Sequence, residues 1–137
     1  MKHFVNDDKL NTFRLPVGWQ FLVNNNLGGT LDSTNWAIYD ANVQNCLNSG
    51  AALCIVDIHN YARWNGGIIG QGGPTNAQFT SLWSQIAAKY KGNNKIAFGL
   101  MNEPVSNANP FTSRNIADTN SSTTSTSTPG PPPSKPP

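Results

Sequence analysis

The sequence predicts an α/β fold built on parallel strands, followed by a segment that no core can absorb. Three observations carry this. Apolar runs of strand length, at 12–17, 52–59 and 95–101, alternate with two stretches whose apolar residues recur at helical spacing. Strands separated by helical segments pair in parallel, through right-handed crossovers. After Pro104 the periodic pattern fades, and residues 119–137 are Thr, Ser, Pro and Gly with one Asn and one Lys.

Taken in order, a short helix precedes a first strand, Thr12-Phe13-Arg14-Leu15-Pro16-Val17. Between Ser33 and Ser49, Trp36, Tyr39, Val43, Cys46 and Leu47 line one helix face. Asp32 or Ser33 can cap that helix and Gly50 can end it. The run Ala52-Leu53-Cys54-Ile55-Val56-Asp57-Ile58-His59 is almost continuously apolar, as a strand buried on both faces would be. A Gly-rich loop from Trp64 to Pro74 follows. Thr75-Asn76-Ala77-Gln78 has the form of a capping box. It opens a second amphipathic helix through Phe79, Leu82, Trp83, Ile86 and Tyr90, with Gly92 placed to terminate it. Lys95–Met101 reads as a third buried strand that ends at Asn102-Glu103-Pro104. This periodicity fits a doubly wound sheet and a (β/α)8 barrel equally. The chain has 137 residues, whereas a closed barrel takes about 200 or more. Residues 1–104 form the expected folded part, and 105–137 a Ser/Thr/Pro-rich tail or linker that buries too little apolar surface to order itself. Within it, Asn120-Ser121-Ser122 is an N-glycosylation acceptor in an exported chain.

Composition excludes several partners. The net charge is +2 and Lys and Arg form no runs, which argues against nucleic acid. No stretch approaches the ~20 apolar residues of a membrane span. Charged residues make up 12% while Asn, Ser, Thr and Gly are abundant. That surface suits a secreted protein that meets neutral polymers. No apolar signal-type core follows Met1, so either the protein is cytosolic or its true N-terminus is missing. Two widely separated histidines and two cysteines outside any CxxC pattern give no metal-site spacing, and no metal or organic cofactor is expected. Cys46 and Cys54 read either as a disulfide or as two small buried hydrophobes.

Ligands of parallel α/β folds gather at the carboxyl ends of strands. Arg14, His59 and the pair Asn102-Glu103 each close, or lie within, a parallel-strand segment. Glu103 is the sole glutamate. Partial burial at a strand end would keep its carboxyl protonated and able to give a proton to a leaving oxygen; a carboxylate capping the next turn is the other reading. Asn102 is either a donor to a sugar hydroxyl or a turn residue before Pro104. His59 shares a strand face with Asp57 by the period of two, as a ligand-positioning pair or a satisfied buried one. Arg14 has the charge and fork geometry to hold a ligand carboxylate; a structural ion pair is the other reading. Trp19, Tyr61 and Trp64 lie just past strand ends, where flat rings can stack on sugars. Trp36 and Trp83 fall on helix core faces.

As a set, these residues resemble a known family. Phe13-Arg14-Leu15-Pro16-Val17-Gly18-Trp19 resembles the second barrel strand of glycoside hydrolase family 5. The segment from Asp57-Ile58-His59-Asn60-Tyr61 to Trp64-Asn65-Gly66 is similar to the third strand and loop of its fungal endoglucanases. Phe98-Gly99-Leu100-Met101-Asn102-Glu103-Pro104 resembles the fourth strand, with the family's Asn-Glu-Pro signature. The resemblance runs from Met1 to about Pro104 and implies a partial (β/α)8 TIM barrel, about strands 2–4 with their helices. It implies an endo-β-1,4-glucanase (cellulase) that retains configuration, acting on a β-1,4-glucan without cofactor, secreted, and monomeric as a full-length protein. Glu103 matches the general acid/base, Asn102 the residue that bonds the sugar 2-hydroxyl, Arg14 the arginine that supports the nucleophile, and His59 a cleft histidine. Trp64 falls where aromatic subsite contacts are expected. Cys46 and Cys54 match a pair that is bridged in fungal relatives. The family's nucleophile, a glutamate of the seventh strand, has no counterpart here, so the chain alone is expected to be inactive. A non-catalytic carbohydrate-binding fragment, or a related β-mannanase or β-glucanase, are the alternatives. Three strands without barrel neighbours would leave two apolar edges open to aggregation.

Overall fold

The computed structural model describes residues 1–104; the Ser/Thr/Pro-rich segment and its Asn120 acceptor lie outside the described residues. The elements, in chain order, are α1 (Lys2–Asn6), β1 (Thr12–Val17), α2 (Trp19–Leu22), α3 (Ser33–Leu47), β2 (Leu53–Ile58), β3 (Arg63–Trp64), β4 (Gly67–Ile68), α4 (Asn76–Tyr90) and β5 (Ile96–Gly99). β1, β2 and β5 form one parallel sheet in that order. Sheet order follows chain order, so the described strands contain no switch point. They advance around a sheet as barrel strands do.

Helix boundaries follow from local chemistry. The Asp32 carboxylate accepts the backbone N–H groups of Thr34 and Asn35 at the start of α3. Thr75 and Gln78 bond reciprocally as a full capping box at the start of α4. The loop read as irregular contains a hairpin: β3 and β4 pair antiparallel across Asn65-Gly66, both at positive φ. This is the two-residue turn that an Asn-Gly pair favours. Strands of two residues carry too little periodicity to be seen in sequence.

Side chains alternate along the strands and divide the sheet into unlike faces. Leu15 and Val17 of β1, and Cys54, Val56 and Ile58 of β2, are buried in one core with Tyr39, Val43 and Cys46 of α3 and Leu82, Ile86 and Tyr90 of α4. Trp36 packs on Tyr39 and Tyr90 and so ties α3 to α4. Trp36 and Trp83 are both core residues. On the opposite face Leu53 and Ile55 are only half-buried, so β2 is sealed on one side rather than two. β5 departs further from the buried strand expected of it, with Phe98 39% and Leu100 41% exposed. The two differences have separate causes, since Phe98 pairs with Val56 and meets Trp83 on the helix side and is exposed by its place on an edge strand, whereas Leu53 and Ile55 lie on the uncovered face. β1 and β5 are sheet edges among the described residues, and no layer of the described chain covers the face turned away from the helices.

Cys46 and Cys54 are bonded, with Cα atoms 6.2 Å apart, and join the end of α3 to β2. The bridge closes a short loop, a separation of 8 residues. Loop-closure entropy then gives about 2–3 kcal/mol. Replacing both cysteines by alanine is therefore expected to lower unfolding stability by about that amount, read from urea denaturation with and without reductant.

Burial pushes the phenols of Tyr39 and Tyr90 above their ordinary range. Tyr39 donates to the Leu15 carbonyl at 2.7 Å and Tyr90 to Asp40 at 2.8 Å. In the unfolded chain both ionise near their ordinary pKa of about 10. Above that pH the unfolded state binds fewer protons than the folded one, so stability falls as pH rises. Thermal unfolding midpoints are expected to be insensitive to this pair below about pH 9 and to drop above about pH 10. Substituting Phe at both positions should flatten that alkaline limb.

Candidate active site

The site is assembled where the strands end. The His59 N–H donates to the Val17 carbonyl at 2.9 Å, and the Asn102 N–H to the Ile58 carbonyl at 2.8 Å. These bonds continue the parallel ladder one step beyond the strands. They set His59 against the end of β1 and Asn102 against the end of β2. Arg14, Asp57 and His59 then share the sheet face turned away from the helix-packed core, by the period of two.

Asp57 lies at the centre. Only 3% of it is exposed, and a carboxylate so far from water requires a charged partner. Arg14 supplies it from the neighbouring strand, with Nη2 2.7 Å from Asp57 Oδ2. The same Nη2 donates to Asn102 Oδ1. His59 Nδ1 is 3.1 Å from Asp57 Oδ2 and 3.3 Å from Arg14 Nη2. The Tyr61 hydroxyl is 3.2 Å from His59 Nε2, and the two rings meet edge to face. Arg14 from within β1, His59 from the end of β2 and Asn102 from beyond β5 are thus brought together, and Tyr61 joins them from the loop. Tyr61 and Ala62 both adopt positive φ, 52° and 59°. Consecutive non-glycine residues in this conformation cost free energy and turn up at ligand-binding loops.

Asn60 holds this loop and was missed in sequence. Its Oδ1 accepts the Trp19 N–H at 2.7 Å, at the first turn of α2. Its Nδ2 donates to Gln20 Oε1 at 2.7 Å and to the Arg63 carbonyl at 3.0 Å. One buried amide therefore ties the end of β1, the end of β2 and the hairpin. An Asn beside a His at a strand end carries no periodic signal. Only its partners in space, two of them about forty residues away in the chain, reveal it.

Three expectations need correction. Trp19 is 0% exposed and Trp64 8%. They pack edge to face on each other, with Phe79 against Trp19, beneath the loop. The chain folds back over both rings after the strand ends, so they support the loop rather than offer a sugar platform. Tyr61 is the exposed ring of the three. Glu103 is exposed rather than partly buried. It follows the edge strand β5 at positive φ, 35°, where no described element covers it. Among the described residues no group of three or more potential metal ligands converges.

The chain matches the family described as Cellulase (glycosyl hydrolase family 5) over residues 1–126. Endoglucanase EG-II of Hypocrea jecorina is 73% identical over 104 residues, which are 76% of this chain and 25% of that protein. The chain thus spans about a quarter of the length of that curated relative. The crystal structure of Cel5A (EG2) from Hypocrea jecorina superposes with a TM-score of 0.73 at 72% identity, over 75% of this chain and 31% of the other. The structure of XacCel5A in complex with cellopentaose is similar at 30% identity and a TM-score of 0.70, over 80% of this chain and 34% of the other.

The Asn60 network generates a stability prediction. Asn60→Ala leaves the buried Trp19 N–H without an acceptor, which costs about 1–3 kcal/mol. Urea denaturation of the variant should show that loss. Hydrogen exchange should open first at Trp19 and in the 60–66 loop, with α3 and α4 still protected.

Proposed function

Because the chain belongs to glycosyl hydrolase family 5, the cellulase family, we propose that it carries the proton-donating half of an endo-β-1,4-glucanase active site. The substrate would be a β-1,4-glucan, cut with retention of configuration. The observation that carries this reading is one network on the parallel sheet, in which Asp57 holds Arg14 and His59 and Arg14 holds Asn102, with Glu103 the next residue along. Binding of cellopentaose is stated for XacCel5A, a structural relative.

In this proposal Glu103 is the general acid/base. In the first step it gives its proton to the leaving glycosidic oxygen. In the second it takes one from water. Asn102 donates to the hydroxyl next to the reacting carbon, Arg14 orients the partner carboxylate, and His59 and Tyr61 border the sugar. The sheet would be the part of a (β/α)8 TIM barrel around its strands 2–4. The full-length protein would be secreted and monomeric, with residues 105–137 as a tail or linker.

A retaining mechanism needs a second carboxylate about 5 Å from the first, as nucleophile. Glu103 is the sole glutamate of the sequence. The chain by itself is therefore expected to bind glucan weakly without cutting it.

Two measurements test this. Incubation with a soluble cellulose derivative should release no reducing ends above the level of a Glu103→Gln variant. Titration with cellopentaose, followed by NMR, should move signals of His59, Tyr61 and Asn102. A titration that moves none of these, or that moves only surfaces remote from the strand ends, sinks the glucan-binding reading.

A further inference from the structure

We infer that Asp57 is a positioning residue that fixes which hydrogen-bonding atom His59, and through Arg14 also Asn102, presents to a ligand. The inference deepens the glucan-binding reading and rests on it for the identity of the ligand. Its structural content stands on a count of hydrogens.

Arg14 Nη2 carries two hydrogens and no lone pair able to accept. One hydrogen goes to Asp57 Oδ2 at 2.7 Å, the other to Asn102 Oδ1. None remains for His59 Nδ1, although that nitrogen is only 3.3 Å away. A bare Nδ1 lone pair would face the Asp57 carboxylate oxygen at 3.1 Å, lone pair against lone pair. Nδ1 must therefore carry the proton and donate it to Asp57. In neutral His59 this leaves Nε2 as an acceptor, and the Tyr61 hydroxyl at 3.2 Å donates to it.

The same count orients the Asn102 amide. Its Oδ1 is occupied by Arg14, so Nδ2 is the atom left to bond elsewhere, and it is a donor. His59 thus presents an acceptor, Nε2, and Asn102 a donor, Nδ2. A hydroxyl group is the ligand chemistry that satisfies both kinds of site, since it donates one hydrogen and accepts through its oxygen. A polyol such as a glucan chain meets this pattern, with Tyr61 giving up Nε2 as the ligand enters. If Asp57 is removed, an Arg14 hydrogen is released toward Nδ1, and the two imidazole nitrogens exchange roles.

Gly99 provides an independent handle. It pairs with Asp57 across the sheet, and a Cβ built there would lie 3.2 Å from Asp57 Oδ1. Gly99→Ala would therefore press on the carboxylate without removing its charge.

The test is the nitrogen-15 imidazole spectrum of His59 in the 137-residue chain, recorded where histidine is neutral, with Asp57→Ala, Gly99→Ala and Tyr61→Phe beside the unchanged protein. We expect Nδ1 of the unchanged protein to be pyrrole-like and Nε2 pyridine-like. Asp57→Ala should invert that assignment and Tyr61→Phe should preserve it. Gly99→Ala should shift both nitrogen signals of His59 and the side-chain amide of Asn102, and it decides the matter if Asp57→Ala does not fold. A protonated Nε2 in the unchanged protein, an uninverted folded Asp57→Ala variant, or unmoved signals in Gly99→Ala would each overturn the assignment. None of these readouts needs a sugar. Correct tautomers together with no response to cellopentaose would sink the glucan reading alone.

Discussion

The ion pair between Arg14 and Asp57 is the constraint on which the site turns. Asp57 sits near the end of the central strand, almost wholly withdrawn from water. Left alone there, a carboxylate would either protonate or destabilise the strand. The parallel register places Arg14 on the adjacent strand and on the same face, within 2.7 Å. Arg14 itself remains about half exposed, so the pair is screened and contributes little as a surface bridge would. Its effect is geometric. It makes a charged group tolerable at that depth, and everything else at the strand ends is then arranged around that group.

The two sheet faces explain how one short segment serves both stability and chemistry. The helix-facing side is closed by α3, α4 and the Cys46–Cys54 bridge, and its residues are those of an ordinary core. The opposite side carries Arg14, Asp57 and His59, and there the burial is partial. Charged residues on that side would be a liability in a finished core but suit a cleft. The exposed Phe98 and Leu100 on the edge strand mark where further structure would normally press. Glu103 follows them, and its exposure has the same origin.

Much of this was legible in the sequence, for reasons that can be named. Helical periodicity and capping chemistry located α3 and α4 with their caps, because Asp32 and the Thr75–Gln78 box act over three residues. Apolar runs located the three strands, and the polar residues within or just after them identified Arg14, His59 and Asn102. What escaped depends on contacts between residues far apart in the chain. Trp19 and Trp64 lie past strand ends, where an exposed ring and a buried one look alike in sequence, and only their mutual packing separates the cases. Asn60 bonds forty-odd residues back to Trp19 and Gln20. Burial of Glu103 was inferred from its apolar strand, yet burial is set by neighbouring strands rather than by the strand itself.

The same accounting bears on how far the chemistry can go within this chain. Retaining glycoside cleavage consumes two carboxylates with different duties. Among the described residues, Asp7 and Asp8 lie with His3 around the exposed first helix. Asp32 caps α3, and Asp40 accepts from Tyr90 between the helices. Asp57 is neutralised by Arg14 and oriented toward His59. Each of these groups already has a structural occupation, and all but Asp57 stand away from the strand ends. Asp57 cannot double as nucleophile, since attack on a sugar carbon would require it to release the guanidinium that makes its burial tolerable. Glu103 alone is uncommitted. In the proposed reading the oriented donor and acceptor would hold the sugar and Glu103 would protonate the glycosidic oxygen. The proposed division of labour follows from that inventory, with the nucleophile to be supplied from outside the described residues.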